Sequence, residues 1–109
     1  MKKLSRRFAA LTSVAMLAAC ATTSTRDLRA SQPSATFTTR KEVKAVAACL
    51  AESLGRWGSP SIYDTAEGVA VSFSKEGNTL LLFDLSREGQ VIVRRLPPVT
   101  FRAQTERCL

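Results

Sequence analysis

An α+β fold is what residues 39–109 of this 109-residue chain predict: an N-terminal helix packed on a three- to four-stranded antiparallel meander, then a short C-terminal helix. Three observations point to it. Val43, Val46, Ala47, Leu50 and Leu54 recur at i, i+3, i+4, i+7 and i+11, which is one face of a helix. Beyond Ser59-Pro60 the apolar residues alternate one by one, the period of a strand. Glu76-Gly77-Asn78 and Arg87-Glu88-Gly89 then supply two close turns, which make consecutive strands antiparallel neighbours.

Each element has its own local signal. Thr39-Arg40-Lys41-Glu42 reads as a capping box, the hydroxyl bonding the Glu42 amide while the Glu42 carboxylate reaches back. Gly55 ends the helix, and Cys49 lies on the shoulder of its buried face. Trp57 either closes over the core or stands exposed as a docking residue. Residues 61–65 form a short, weak strand. Val69, Val71 and Phe73 alternate with Ala70, Ser72 and Ser74, a half-buried strand. Residues 79–86 are the most apolar strand, with Leu81, Phe83 and Leu85 on one face and Leu80, Leu82 and Asp84 on the other. Residues 90–95 are the last strand, and Pro97-Pro98 stops the sheet. Phe101, Thr105 and Cys108, at i, i+4 and i+7, predict the closing helix.

The N-terminus carries an address. Lys2, Lys3, Arg6 and Arg7 precede a run from Phe8 to Ala19 without a charge, too short to cross a ~30 Å hydrocarbon core as a helix. A basic n-region and an apolar h-region in that order predict a signal peptide over residues 1–19. The run ends in Leu17-Ala18-Ala19-Cys20, which resembles the lipobox of bacterial lipoproteins. The resemblance implies cleavage before Cys20, a diacylglycerol thioether on its thiol and N-acylation, and so attachment to the membrane through lipid on Cys20. Two or more acyl chains hold a protein stably. With Ala21 rather than Asp after the cysteine, the implied location is the cell envelope, at the outer membrane facing the periplasm. The alternatives are an ordinary signal peptide with an incidental cysteine, or a buried amphipathic helix. Residues 21–38 are rich in Ser and Thr and poor in apolar side chains, so residues 20–38 read as a lipidated cysteine with a flexible tether spanning ~25 Å.

Processing changes the composition. The formal charge of +7 includes four cations of the signal, and what remains is 12 Lys and Arg against nine Asp and Glu. That mild excess argues for no nucleic-acid partner. Cys49 and Cys108 are then the pair left for an oxidising compartment, where a disulfide between them is the default. A domain of about 70 residues rarely supplies more than ~3–5 kcal/mol from its core, and a bridge closing about 60 residues is worth ~4 kcal/mol in the chain-entropy model.

The helix "VAACLAESL", the strand "GVAVSFS", the meander and a cysteine beside the C-terminus, all behind a lipobox, resemble a group of small uncharacterised proteobacterial lipoproteins. Some of that group carry transporter-ATPase names. This chain has no Gly-rich phosphate loop, so that activity is not carried over.

No histidine occurs, which excludes His-based triads, Cys-His catalysis and the commonest metal ligand. No metal, cofactor or small-molecule substrate is expected. Asp64 with Glu67, or Asp84 with a second acid, could form a carboxylate pair, but solvated hairpin acids are the plainer reading. Arg94, Arg95, Arg102 and Arg107 could together meet an anion or an acidic partner, or could be edge charges that block aggregation. Two function classes survive: a non-enzymatic envelope lipoprotein acting by contact with an envelope protein, and an inhibitor or immunity lipoprotein against a periplasmic hydrolase or effector. An inhibitor would present one of the loops 76–78, 86–89 or 96–100.

Overall fold

A computed structural model describes residues 22–109; the signal peptide expected over 1–19 and the lipidation expected at Cys20 lie outside the described residues. In chain order the elements are α1 (Thr25–Arg29), β1 (Ala35–Thr38), α2 (Val43–Ser53), a 3-10 turn (Gly55–Trp57), β2 (Ser59–Asp64), β3 (Gly68–Lys75), β4 (Asn78–Ser86), β5 (Gln90–Arg95) and α3 (Arg102–Cys108). The strands form one sheet in the order β1-β5-β4-β3-β2, and every neighbouring pair is antiparallel. The α+β class holds. The strand count does not, because β1 adds a fifth strand beside β5, and α1 and β1 both precede the helix expected to open the domain.

Alternation divides the sheet into two faces. On the front, Val71, Phe83 and Val93 stand in one cross-strand row and Val69, Leu85 and Val91 in the next. Val46, Ala47 and Leu50 of α2 and Leu54 at its C-cap pack on these rows, together with Val99, Phe101 and Cys108 from the C-terminal segment. Phe83 takes Phe73 and Phe101 edge-on, at 6.2 and 6.5 Å between ring centroids, the arrangement that aromatic quadrupoles favour. The Sγ atoms of Cys49 and Cys108 lie 2.02 Å apart with Cα atoms at 5.6 Å, a disulfide joining α2 to the last turn of α3. Trp57 is half-buried against this core, and its indole N–H donates to the Thr100 carbonyl at 2.9 Å.

The back face overturns the tether. Leu28 of α1 is buried against Ala70 and Leu82, with Tyr63 and Leu96 around it. A helix of five residues has no stability of its own. This one is held by reciprocal Ser24–Asp27 capping and by hooks onto the sheet. The Thr23 amide donates to Asn78 Oδ1 at 2.8 Å, the Thr79 amide to the Thr23 carbonyl at 2.8 Å, and the hydroxyls of Thr25 and Thr79 meet at 2.9 Å. Further on, the Ser34 amide donates to the Val93 carbonyl and the Arg95 amide to Ser34 Oγ, leading into β1. Among the described residues, 22–38 are therefore part of the domain, which does not begin at Thr39. Serine and threonine serve here as partners for the backbone of strands far along the chain.

Two further expectations change for related reasons. β3 is buried on both faces from Gly68 to Phe73 rather than half-buried, because α1 covers what the meander alone would leave wet. The helix caps on Glu42, whose carboxylate accepts from the Ala45 amide at 3.1 Å, and not on Thr39. At Thr39 the chain is still engaged with the sheet: its amide donates to the Gly89 carbonyl at 2.8 Å. Gly89 has φ +91°, and a Cβ there would run into the Thr39 carbonyl, so this approach requires glycine.

Two measurements check this packing. Leu28→Ala removes the plug of the back face and is expected to destabilise by about 2–5 kcal/mol, the range for buried Leu→Ala. Calorimetry on the domain would read a fall of several degrees per kcal/mol, whereas an unchanged midpoint would mean that the back cover is not docked. Cys108→Ser, or reduction, is expected to destabilise by up to ~4 kcal/mol for a loop of this length, with a matching fall in the midpoint.

Candidate functional site

Placing Asp84 on the back of β4 puts a carboxylate where an apolar residue would be easy to satisfy and an acid is not. The cross-strand row through it is Tyr63, Ala70, Asp84, Ile92 and Thr36, and the adjoining row carries Leu82 beside Arg94. A carboxylate three-quarters buried needs donors. Two guanidiniums supply them. Arg29, the last residue of α1, forks onto the carboxylate through Nη2 to Oδ1 at 2.9 Å and Nε to Oδ2 at 3.3 Å. Arg94 Nη1 reaches Oδ2 at 3.2 Å, and its Nε donates to the Ser31 carbonyl at 3.0 Å just after α1. Arg29 Nη2 also meets the Tyr63 hydroxyl at 3.2 Å.

The hydrogen bonds from Arg29 to Asp84, with Tyr63 adding to them against the opposing effect of burial, push the Arg29 guanidinium well above its ordinary value. Arg29 and Arg94 share this one carboxylate. They line a cleft of about 360 Å³ whose other walls include Thr65, Glu67, Ser86 and Gln90. Chemically the cleft offers guanidinium N–H groups, hydroxyls and a side-chain amide, its two guanidiniums matched in charge by the carboxylates of Asp84 and of Glu67 at the rim. These are recognition groups, suited to hydrogen-bonded contact with a polar group on a partner.

The four arginines singled out in the sequence do not converge. Arg94 faces the back cleft. Arg95, its neighbour in β5, points to the other face, where it donates to the Val99 carbonyl at 2.8 Å and lies over the Phe101 ring. Arg102 lies over Phe37, and Arg107 is exposed in the last turn of α3. Asp84 faces two arginines and not a second acid, while Asp64 is exposed on the edge strand and Glu67 on the rim. Among the described residues no three His, Cys, Asp or Glu side chains gather as a metal site. Reading the sequence missed Arg29 because it fell in the segment taken as a tether, and Tyr63 because the short strand assigned to it carried no sign of what its back face would meet. The one available signal was an acid in an otherwise apolar strand, which implies a cation from elsewhere.

Comparisons of the chain with protein-family models, with curated proteins and with solved structures found no match. The geometry therefore stands alone as the guide to function.

Asp84→Asn keeps the shape and removes the charge that two arginines share. It is expected to destabilise by about 1–3 kcal/mol, the scale for hydrogen bonds to a charged group. Amide exchange should quicken in α1 before it quickens in the front core. Loss of protection spread evenly over the domain would contradict the role given to Asp84 in holding α1.

Proposed function

We propose that this chain is an exported, lipid-anchored protein of the bacterial cell envelope that acts by contact rather than by catalysis, its contact face being the Asp84 cleft. The observation that carries the reading is the Cys49–Cys108 pair at bonding distance. Disulfides persist in oxidising compartments outside the cytosol, which agrees with a signal read from the basic and apolar runs before Cys20. Export followed by lipidation at Leu17-Ala18-Ala19-Cys20 puts the domain at a membrane surface in the periplasm, with the outer membrane favoured by Ala21.

Contact is favoured over chemistry by the kind of groups the cleft holds. Arg29, Arg94 and Asp84 are engaged with one another, and each polar group of the lining is of the recognising type. The inhibitor reading draws less support. The turns at 76–78 and 86–89 are tight, and the segment 96–100 is tied down by Val99 in the core and by the bonds from Arg95 and Trp57 to its carbonyls. An inhibitor needs a loop that protrudes.

Cys20→Ser tests the anchor. Cells fed a fatty-acid probe are expected to label the wild type and leave the variant unlabelled and unprocessed. Absence of label on the wild type, with a mature N-terminus elsewhere, would remove the proposal. Crosslinking of the lipidated wild type against an Arg29→Gln, Arg94→Gln variant would then report whether the cleft holds a partner.

A further inference from the structure

The hooks that dock residues 23–25 also set where the lipid must be. Thr23 is pinned on both sides of its peptide to Asn78 and Thr79, at the β3–β4 hairpin. Cys20 stands three residues before Thr23, and three extended residues reach at most about 11 Å. β4 has nine residues and spans ~30 Å from this hairpin to the 86–89 turn. An anchor on Cys20 cannot therefore let both ends of the sheet approach the bilayer equally.

We infer that the β3–β4 hairpin end of the sheet rests on the lipid headgroups, and that the 86–89 turn and the mouth of the Asp84 cleft face away from them. The inference rests on the reading of Cys20 as lipidated. Net charge does not separate the two ends. Around the hairpin end Arg26, Arg56 and Lys75 are exposed together with Asp27, Glu52 and Glu76, and around the far end Asp64, Glu67 and Glu88 are exposed together with Arg87, Arg40 and Lys41, the last two following Thr39, whose amide donates to the Gly89 carbonyl. The orientation is therefore set by the three residues between Cys20 and the pinned Thr23, and the basic groups at the hairpin end can meet anionic headgroups once the anchor holds them there. The occupant of the hairpin end is thus a lipid surface. The cleft, whose lining runs to Ser86 and Gln90, is left open to the aqueous side, where a partner can reach it.

The test uses the full-length lipidated protein in vesicles of phosphatidylethanolamine and phosphatidylglycerol with a headgroup nitroxide. Ser59→Cys and Glu88→Cys are each labelled with a fluorophore; both positions are exposed, at the hairpin end and the far end, and Cys49 and Cys108 are consumed by each other. Quenching is expected to be several-fold stronger at 59 than at 88. A ten-residue Gly-Ser insertion between Ala21 and Thr22 should erase most of that difference. Equal quenching of the two sites without the insertion, or stronger quenching at 88, overturns the orientation while leaving the anchor intact. The mass of the same preparation separates the two failures, since protein without acyl chains overturns the anchor and the orientation with it.

Discussion

A sheet whose central strands are apolar on both faces must be covered on both faces, and everything else in this domain follows from how that is done. In β4, Leu81, Leu82, Phe83 and Leu85 are all within 2% of complete burial, although they alternate between front and back. The front is covered by two helices with a generous apolar surface, joined by the Cys49–Cys108 bridge. The back is covered by one buried aliphatic residue, Leu28, and a series of polar hooks. Apolar area is the main source of stability. The two covers are therefore unequal, and the lowest-lying local opening belongs to the back.

The same cover creates the cleft. Leu28 and Arg29 are adjacent, so the residue that plugs the back face delivers a guanidinium to Asp84 one position later. Asp84 in turn gives α1 a charged partner that a five-residue helix cannot find within itself. Packing and ion pairing support each other here. An acid in a buried row is tolerable only because the cover arrives with two arginines, and the cover stays because the acid is there.

The bridge and the back cover also tie the chain ends to its middle. Cys108 fastens the last turn to the first long helix, while Thr23 fastens the start of the described chain to the central hairpin. A domain this small holds few apolar residues per unit of surface, and closing its ends limits the entropy that unfolding can release. With a lipid three residues ahead of Thr23, anchoring and folding would share the same segment, so the membrane would hold the domain by its back cover rather than by a free leash.

What the sequence determined by itself is what local pattern can encode. The face of α2 was legible because five residues repeat at helical spacing, the meander because alternation is interrupted by two glycine turns, and the bridge because two cysteines remain once Cys20 is set aside. Tertiary structure alone decided the fate of residues 22–38. Most of their partners on the sheet lie more than fifty residues away, on Asn78, Thr79, Asp84 and Val93, and a segment with one buried leucine has no periodicity to announce it. The same holds for the cap at Glu42, displaced from Thr39 by a strand contact with Gly89, and for the division of Arg94 from Arg95 by the pleat. Periodicity reports which way a side chain faces within its own element. Only the assembled sheet brings Arg29 and Arg94 to one carboxylate and Tyr63 to Arg29, because that meeting depends on which distant strand each segment finds.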